Sequence, residues 1–138
     1  MDHGKILVTG GAEYIGSHVV RRLGADGENV ITLDNLSTGF EAAVTSGELV
    51  IGDTGDAALL DRIFADHDID TVMHFAAHTI VPESVADPLK YYGNNTASSR
   101  TLLERANALG VTNQRRRLLA VPAGPVPILA ERNGKMII

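Results

Sequence analysis

The sequence predicts an α/β protein: a three-layer sandwich in which a mostly parallel sheet of four to five strands carries helices on both faces. Three observations predict it. Short β-branched runs alternate with helical spacing over the first hundred residues. A glycine-rich turn joins the first run to the first helix, and the connections are short enough for right-handed βαβ crossovers. Lys5 to Thr9 is a β-branched run closed by glycine, the form of a buried parallel strand. Apolar residues at 15, 19, 20 and 23 then recur at helical spacing, and Gly24 and Gly27 stop that helix. Val30 to Asp34 is the second strand, and Glu48 to Ile51 the third. Asp56 caps a helix running through Phe64. Thr71 to Phe75 is the fourth strand and leads into small residues. Pro88 suits the first turn of a long helix reaching Leu109, with Leu89, Tyr92, Leu102, Leu103, Ala106 and Leu109 on one face and Gly110 ending it. The expected strand order is 3-2-1-4, with a fifth strand following.

That fifth strand is where the pattern fails. Thr112 to Arg117 includes three consecutive arginines, and a buried strand does not hold unpaired guanidinium groups. Leu118 to Val121 offers a short strand shifted along the chain, and Pro122, Pro125 and Pro127 read as loop or tail. The expected organisation is therefore one domain over residues 1–112, with residues 113–138 a divergent tail, whether an out-of-frame translation, a genuinely diverged segment or disordered chain.

Composition narrows the function classes. The chain has 138 residues, enough for one core. Twelve Lys and Arg against 17 Asp and Glu give a net charge of −5, which argues against nucleic acid as a partner. There is no cysteine, hence no disulfide framework or thiolate chemistry. The N-terminus lacks the apolar core of a signal peptide, and the longest apolar stretch, Leu118 to Ala130, is too short to span a bilayer. A cytoplasmic protein without a membrane partner is expected.

The chemistry concentrates in Val8-Thr9-Gly10-Gly11-Ala12-Glu13-Tyr14-Ile15-Gly16. A glycine turn between strand and helix lets a pyrophosphate approach bare backbone, while free amides and the helix dipole attract its charge. Gly10 or Gly11 suits the tight turn, and Gly16 lets the helix lie against the strand. Asp34, eighteen residues after Gly16, ends the second strand, where a carboxylate accepts both ribose hydroxyls and repels a 2′-phosphate. The pattern is that of a Rossmann-like site preferring NAD to NADP. Glu13 departs from it. It stands at the point of closest phosphate approach, where its side chain fills space and its charge opposes a dianion, so NAD binding is expected to be weak.

Residues 1 to about 112 resemble the start of the extended short-chain dehydrogenase/reductases, and among them most closely the UDP-glucose 4-epimerases. The resemblance rests on residues 9–18, Leu33-Asp34-Asn35-Leu36-Ser37-Thr38-Gly39, Gly52-Asp53, His74-Phe75-Ala76-Ala77, Glu83-Ser84-Val85 and Tyr91-Tyr92-Gly93-Asn94-Asn95-Thr96. It implies that Tyr14 and Ile15 line the pyrophosphate turn and that Asp34 and Asn35 hold the adenosine ribose. It also implies that Asp53 and Thr54 border adenine, that Phe75, Ala76 and Ala77 pass under NAD, and that Asn95 sits near the nicotinamide. Thr79 stands where such proteins commonly carry a lysine contacting NAD.

The resemblance further implies a nucleotide-sugar isomerase of galactose metabolism that passes hydride from carbon 4 of the sugar to NAD and back to its other face. That chemistry uses a tyrosine followed four residues later by lysine. Here Tyr14, Tyr91 and Tyr92 are followed by His18, Asn95 and Thr96, and these 138 residues are not expected to include the sugar-binding domain. The expectation is a truncated NAD-binding part with no catalytic residue, unable to interconvert UDP-glucose and UDP-galactose alone. The alternatives are activity supplied with a further C-terminal part, and a structural remnant that binds nothing. The 88–109 helix resembles one that joins a dimer's helical bundle, so a homodimer is expected. His74 and His78 fall at a strand end and its loop, off any common face, and no metal site is expected.

Overall fold

The computed structural model describes residues 4–78, 81–110, 117–120, 130–132 and 135–137. Strand β1 (Lys5–Thr9) leads into α1 (Tyr14–Ala25), β2 (Val30–Asp34), a 3₁₀ turn at Glu41–Ala43, β3 (Glu48–Ile51), α2 (Ala57–Asp66) and β4 (Ile69–His74). Then come α3 (Val81–Ala86), α4 (Pro88–Tyr91), a π-helical turn (Tyr92–Ala97), α5 (Ser98–Gly110), and strands β5 (Arg117–Ala120), β6 (Ala130–Arg132) and β7 (Lys135–Ile137). The sheet order is β3-β2-β1-β4-β5-β6-β7. The first five strands are parallel, in the expected order, with Leu7 beside both Ile31 and Val72, and Val72 beside Leu118. Two short antiparallel strands, β6 and β7, extend that sheet beyond what the sequence suggested.

Side-chain alternation along the strands makes the three layers. Successive residues point to opposite faces, so Leu7 and Val8 on β1 enter different cores. On one face Leu7, Ile31 and Leu33 pack with Leu60, Ile63 and Phe64 of α2 and Leu102 of α5. On the other, Val8 and Val30 pack with Val20 of α1. Leu7, Leu33 and Leu60 are fully buried, each contributing roughly 1.5–3 kcal/mol by leaving water. All five residues of β2 are buried, as expected for a strand covered on both faces. Asp56 caps α2 as expected, its carboxylate accepting from the Leu59 amide at 3.0 Å. Helix α1 runs past Gly24 to Ala25, and Gly27 turns the chain with φ +82°.

Two helical expectations need correction. Ile15 does not join the apolar face of α1, being 53% exposed. The single helix over 88–109 is instead α4, the π turn and α5 in succession, preceded by α3. A π turn holds more residues than an α turn and rotates everything after it about the axis. Leu89 and Tyr92, before and at the turn, are therefore 80% and 63% exposed, whereas Leu102 is buried against α2. They do not share one face. Leu109, also placed on it, has its side chain outside the described residues. Among the described residues no helix is long and apolar enough to cross a membrane.

The strand order reverses between β1 and β4. In open α/β sheets this opens a crevice at the carboxyl ends of the strands, here just beyond Thr9, Asp34 and His74.

Candidate nucleotide site

The floor of that crevice is the glycine turn. Gly10 adopts φ +69°, and a Cβ there would lie 2.6 Å from the Ala76 amide nitrogen, so glycine is required both by conformation and by the passing chain. Gly16 is required by proximity alone: its Cβ would lie 2.1 Å from the Gly10 carbonyl oxygen. These two glycines press the start of α1 onto the end of β1. Gly11, the sequence alternative for the tight turn, has no positive φ. Glu13 is the N-cap of α1 with φ −87° and ψ 177°, ordinary extended backbone that tolerates a side chain. Its carboxylate makes no capping bond, so the first-turn amides of α1 lack a side-chain partner from it.

The carboxylate of Glu13 is instead held sideways. Thr38 Oγ1 donates to Glu13 Oε1 at 2.6 Å, across the loop that follows β2. That loop is tied down by Phe40, whose amide donates to the Ala12 carbonyl at 3.1 Å. Asp34, 5% exposed, organises the same junction: it accepts from the Ala12 amide at 2.9 Å and from the Leu36 amide at 2.8 Å. Leu36 takes φ +57° to make that bond, an uncommon conformation for a branched side chain. One carboxylate thus joins the glycine turn to the loop carrying Asn35, Ser37 and Thr38.

On the far wall, Asn35 Nδ2 donates to Asp53 Oδ2 at 3.3 Å, and the Gly55 amide donates to Asp53 Oδ1 at 2.6 Å. Thr54 is buried beside them. The Phe75 amide donates to the Thr9 carbonyl at 2.9 Å, which carries Ala76 and Ala77 over Gly10. Gly10, Glu13, Asp34, Asn35, Asp53, Thr54, Ala76 and Ala77 line one cavity, eight of the fourteen positions read from the sequence. Leu33, Ser37, Gly52, His78 and Asn94 also line it; all of these but His78 lie inside the motifs already singled out.

The remaining expected positions among the described residues stand around that cavity without lining it. Gly16 packs beneath it. Tyr14 is 81% exposed and meets His18 edge-on at 4.8 Å, with Ile15 exposed next to it. Phe75 packs against the Val8 core. Asn95 closes the loop after β4 from outside, accepting from the His78 amide at 2.8 Å and donating to the His78 carbonyl at 2.9 Å. Thr79 lies outside the described residues.

Behind the crevice a relay invisible to sequence reasoning links three elements. His74 Nδ1 lies 2.5 Å from Thr9 Oγ1, and Nε2 lies 2.6 Å from Ser99 Oγ. Ser99 in turn donates to the Asn95 carbonyl at 2.8 Å. The order of donors fits a neutral imidazole: Thr9 donates to Nδ1, and Nε2–H donates to Ser99. Burial pushes the His74 imidazole down to about 4, so the neutral form holds at pH 7.

Comparison with known proteins agrees with this geometry. The NAD dependent epimerase/dehydratase family matches residues 6–121, further than the resemblance to about residue 112. The UDP-glucose 4-epimerase of Azospirillum brasilense is 52% identical over 108 residues, 78% of this chain and 31% of that protein. That of Lacticaseibacillus casei is 50% identical over 107 residues, 77% of this chain and 32% of that protein. The crystal structure of the Brucella ovis UDP-glucose 4-epimerase in complex with NAD aligns with TM-score 0.75 and 41% identity, covering 78% of this chain and 33% of that one. The chain thus spans about a third of the length of the relatives it matches. With the family match running from β1 through β5 and the cavity built on its glycine turn, the chain belongs to the NAD dependent epimerase/dehydratase family.

Proposed function

We propose that this chain is an NAD-binding fragment equivalent to the N-terminal part of a UDP-glucose 4-epimerase, which binds NAD weakly and does not by itself interconvert UDP-glucose and UDP-galactose. The observation that carries the reading is the convergence of Gly10, Asp34, Asn35 and Asp53 on one cavity at the carboxyl ends of the parallel strands. The residues fit a dinucleotide on its nucleoside side. Gly10 and Gly16 keep the backbone bare, and Asp34 retains lone pairs beyond its two amide bonds for ribose hydroxyls. NAD, when bound, supplies the hydride acceptor. The chain's own residues bind and orient it.

They fit less well where the pyrophosphate belongs. Glu13 is among the residues lining the cavity, and its carboxylate is held by Thr38 in a solvent-exposed bond. Two unit charges about 4 Å apart repel by roughly 4 kcal/mol at an effective dielectric near 20, close to three powers of ten in affinity. Glu13→Gly is therefore expected to tighten NAD binding in calorimetric titration, and equal affinity for both proteins would refute the assignment of Glu13. The absence of catalysis rests on the tyrosines: none is followed four residues later by lysine. Pure protein incubated with NAD and UDP-galactose is expected to yield no UDP-glucose, and appreciable turnover would overturn that part.

Residues 1–112 are taken as the nucleotide-binding domain and 113–138 as a tail that diverges after β5, the strand still within the family match, and the protein as cytoplasmic. Leu89 and Tyr92, exposed on the 88–109 run, support association of two copies there. Sedimentation at micromolar concentration tests it: a monomer unchanged by Leu89→Glu would contradict the dimer. Glu13 is also the observation that favours the second reading, a fold that has lost its ligand.

A further inference from the structure

The cavity that lies against the glycine turn is lined by three acidic residues, Glu13, Asp34 and Asp53, and no lysine or arginine is among its described lining residues. Each carboxylate is fixed by bonds that leave acceptor capacity over. Asp34 holds two backbone amides, Asp53 holds the Gly55 amide and the Asn35 side chain, and Glu13 holds the Thr38 hydroxyl through one oxygen only. A ligand resting on these three groups must therefore present hydrogen-bond donors, and any anionic group it places near Glu13 meets repulsion. Phosphate is an acceptor and an anion, whereas a free hydroxyl is a donor and uncharged.

Resting on the nucleotide-site reading above, we propose that the pocket selects nucleosides uncharged at their 5′ end, binding them more tightly than the corresponding mono- and diphosphates. This inverts the order a pyrophosphate cradle imposes. Glu13 is the specificity-determining residue, and Thr38 is a positioning residue that holds its carboxylate at the cavity. Coulomb's law sets the scale: at about 4 Å the discrimination lies between roughly fivefold in bulk water and roughly a thousandfold at an effective dielectric near 20.

The test is calorimetric titration of the full chain with adenosine, AMP, ADP and NAD, without divalent cations, on the wild type, Glu13→Gln and Glu13→Gly. The expected result is adenosine binding at least about fivefold more tightly than AMP, with the gap narrowing as salt is raised because screening weakens the repulsion. Glu13→Gln preserves size and removes charge, so it is expected to bring AMP to within about threefold of adenosine. Wild-type protein that binds AMP or ADP as tightly as adenosine overturns the proposal while leaving the nucleotide site standing. So does an unchanged adenosine-to-AMP ratio in Glu13→Gln. No binding of any of the four by any of the three proteins, with folding confirmed by circular dichroism, overturns the nucleotide site itself and the proposal with it.

Discussion

Lowering the pH should destabilise this fold through one residue, His74. Its ring sits between Thr9 and Ser99 with both nitrogens engaged, and the pattern of donors is complete only when the ring is neutral. Protonation would force Nδ1 to donate toward Thr9 Oγ1, a fully buried hydroxyl that now donates to it. Burial holds the folded pKa at about 4, against 6.5 for the exposed group. Because the unfolded chain takes up the proton first, the stabilisation is fully present above pH 6.5 and is lost as pH falls from 6.5 toward 4. At 1.36 kcal/mol per pKa unit, the loss approaches about 3 kcal/mol, a large share of the 5–15 kcal/mol typical of a domain. Urea denaturation at pH 7 and pH 4.5 measures it, with His74→Gln as the comparison because it cannot titrate. The wild type is expected to lose about 2–3 kcal/mol more than the variant between those pH values. At pH 7 the variant is the less stable protein, since Thr9 loses its acceptor at a cost of about 1–3 kcal/mol. Parallel pH profiles for the two proteins would refute the role given to the relay.

Two further substitutions test how the site is built. Gly16→Ala places a methyl 2.1 Å from the Gly10 carbonyl oxygen, so α1 must lift from the turn. A loss of about 3 kcal/mol in urea denaturation is expected. Gly27→Ala, which meets nothing within 4 Å but keeps φ +82°, should cost only about 1 kcal/mol. Equal losses would show that space at the turn does not matter. Asp56→Ala removes the cap on the Leu59 amide and should lower stability by about 1 kcal/mol, read as a fall in thermal midpoint; no change would mean the cap is solvated in effect.

Much of this was legible from local sequence because local chemistry dictated it. The glycine turn, the carboxylate ending β2 and the cap at Asp56 each require a particular residue type at a particular place, and each was found where expected. Periodicity misleads where the geometry changes its period: a 3.6-residue repeat cannot register a π turn, so it groups Leu89 and Tyr92 with Leu102. Contacts set by strand register were out of reach altogether. The bond from Thr38 to Glu13 spans 25 residues, and the one from Thr9 to His74 spans 65. The first depends on how the loop after β2 folds back over the turn. The second depends on β1 and β4 being neighbours, with Thr9 beside His74. Glu13 itself was legible as a departure, but its tether was not. The carboxylate takes Thr38 as its partner, in an exposed bond beside the cavity.

The central claim is that the cavity beyond β1, β2 and β4 is a nucleotide site. Mapping backbone amide shifts by NMR while adding NAD to the full chain tests it most directly. Progressive, saturable shifts at Gly10, Asp34, Asn35, Asp53 and Ala76, with little change on the outer face of α2, are the predicted result. Millimolar NAD that leaves those amides unmoved, or that shifts only residues remote from the glycine turn, would contradict it.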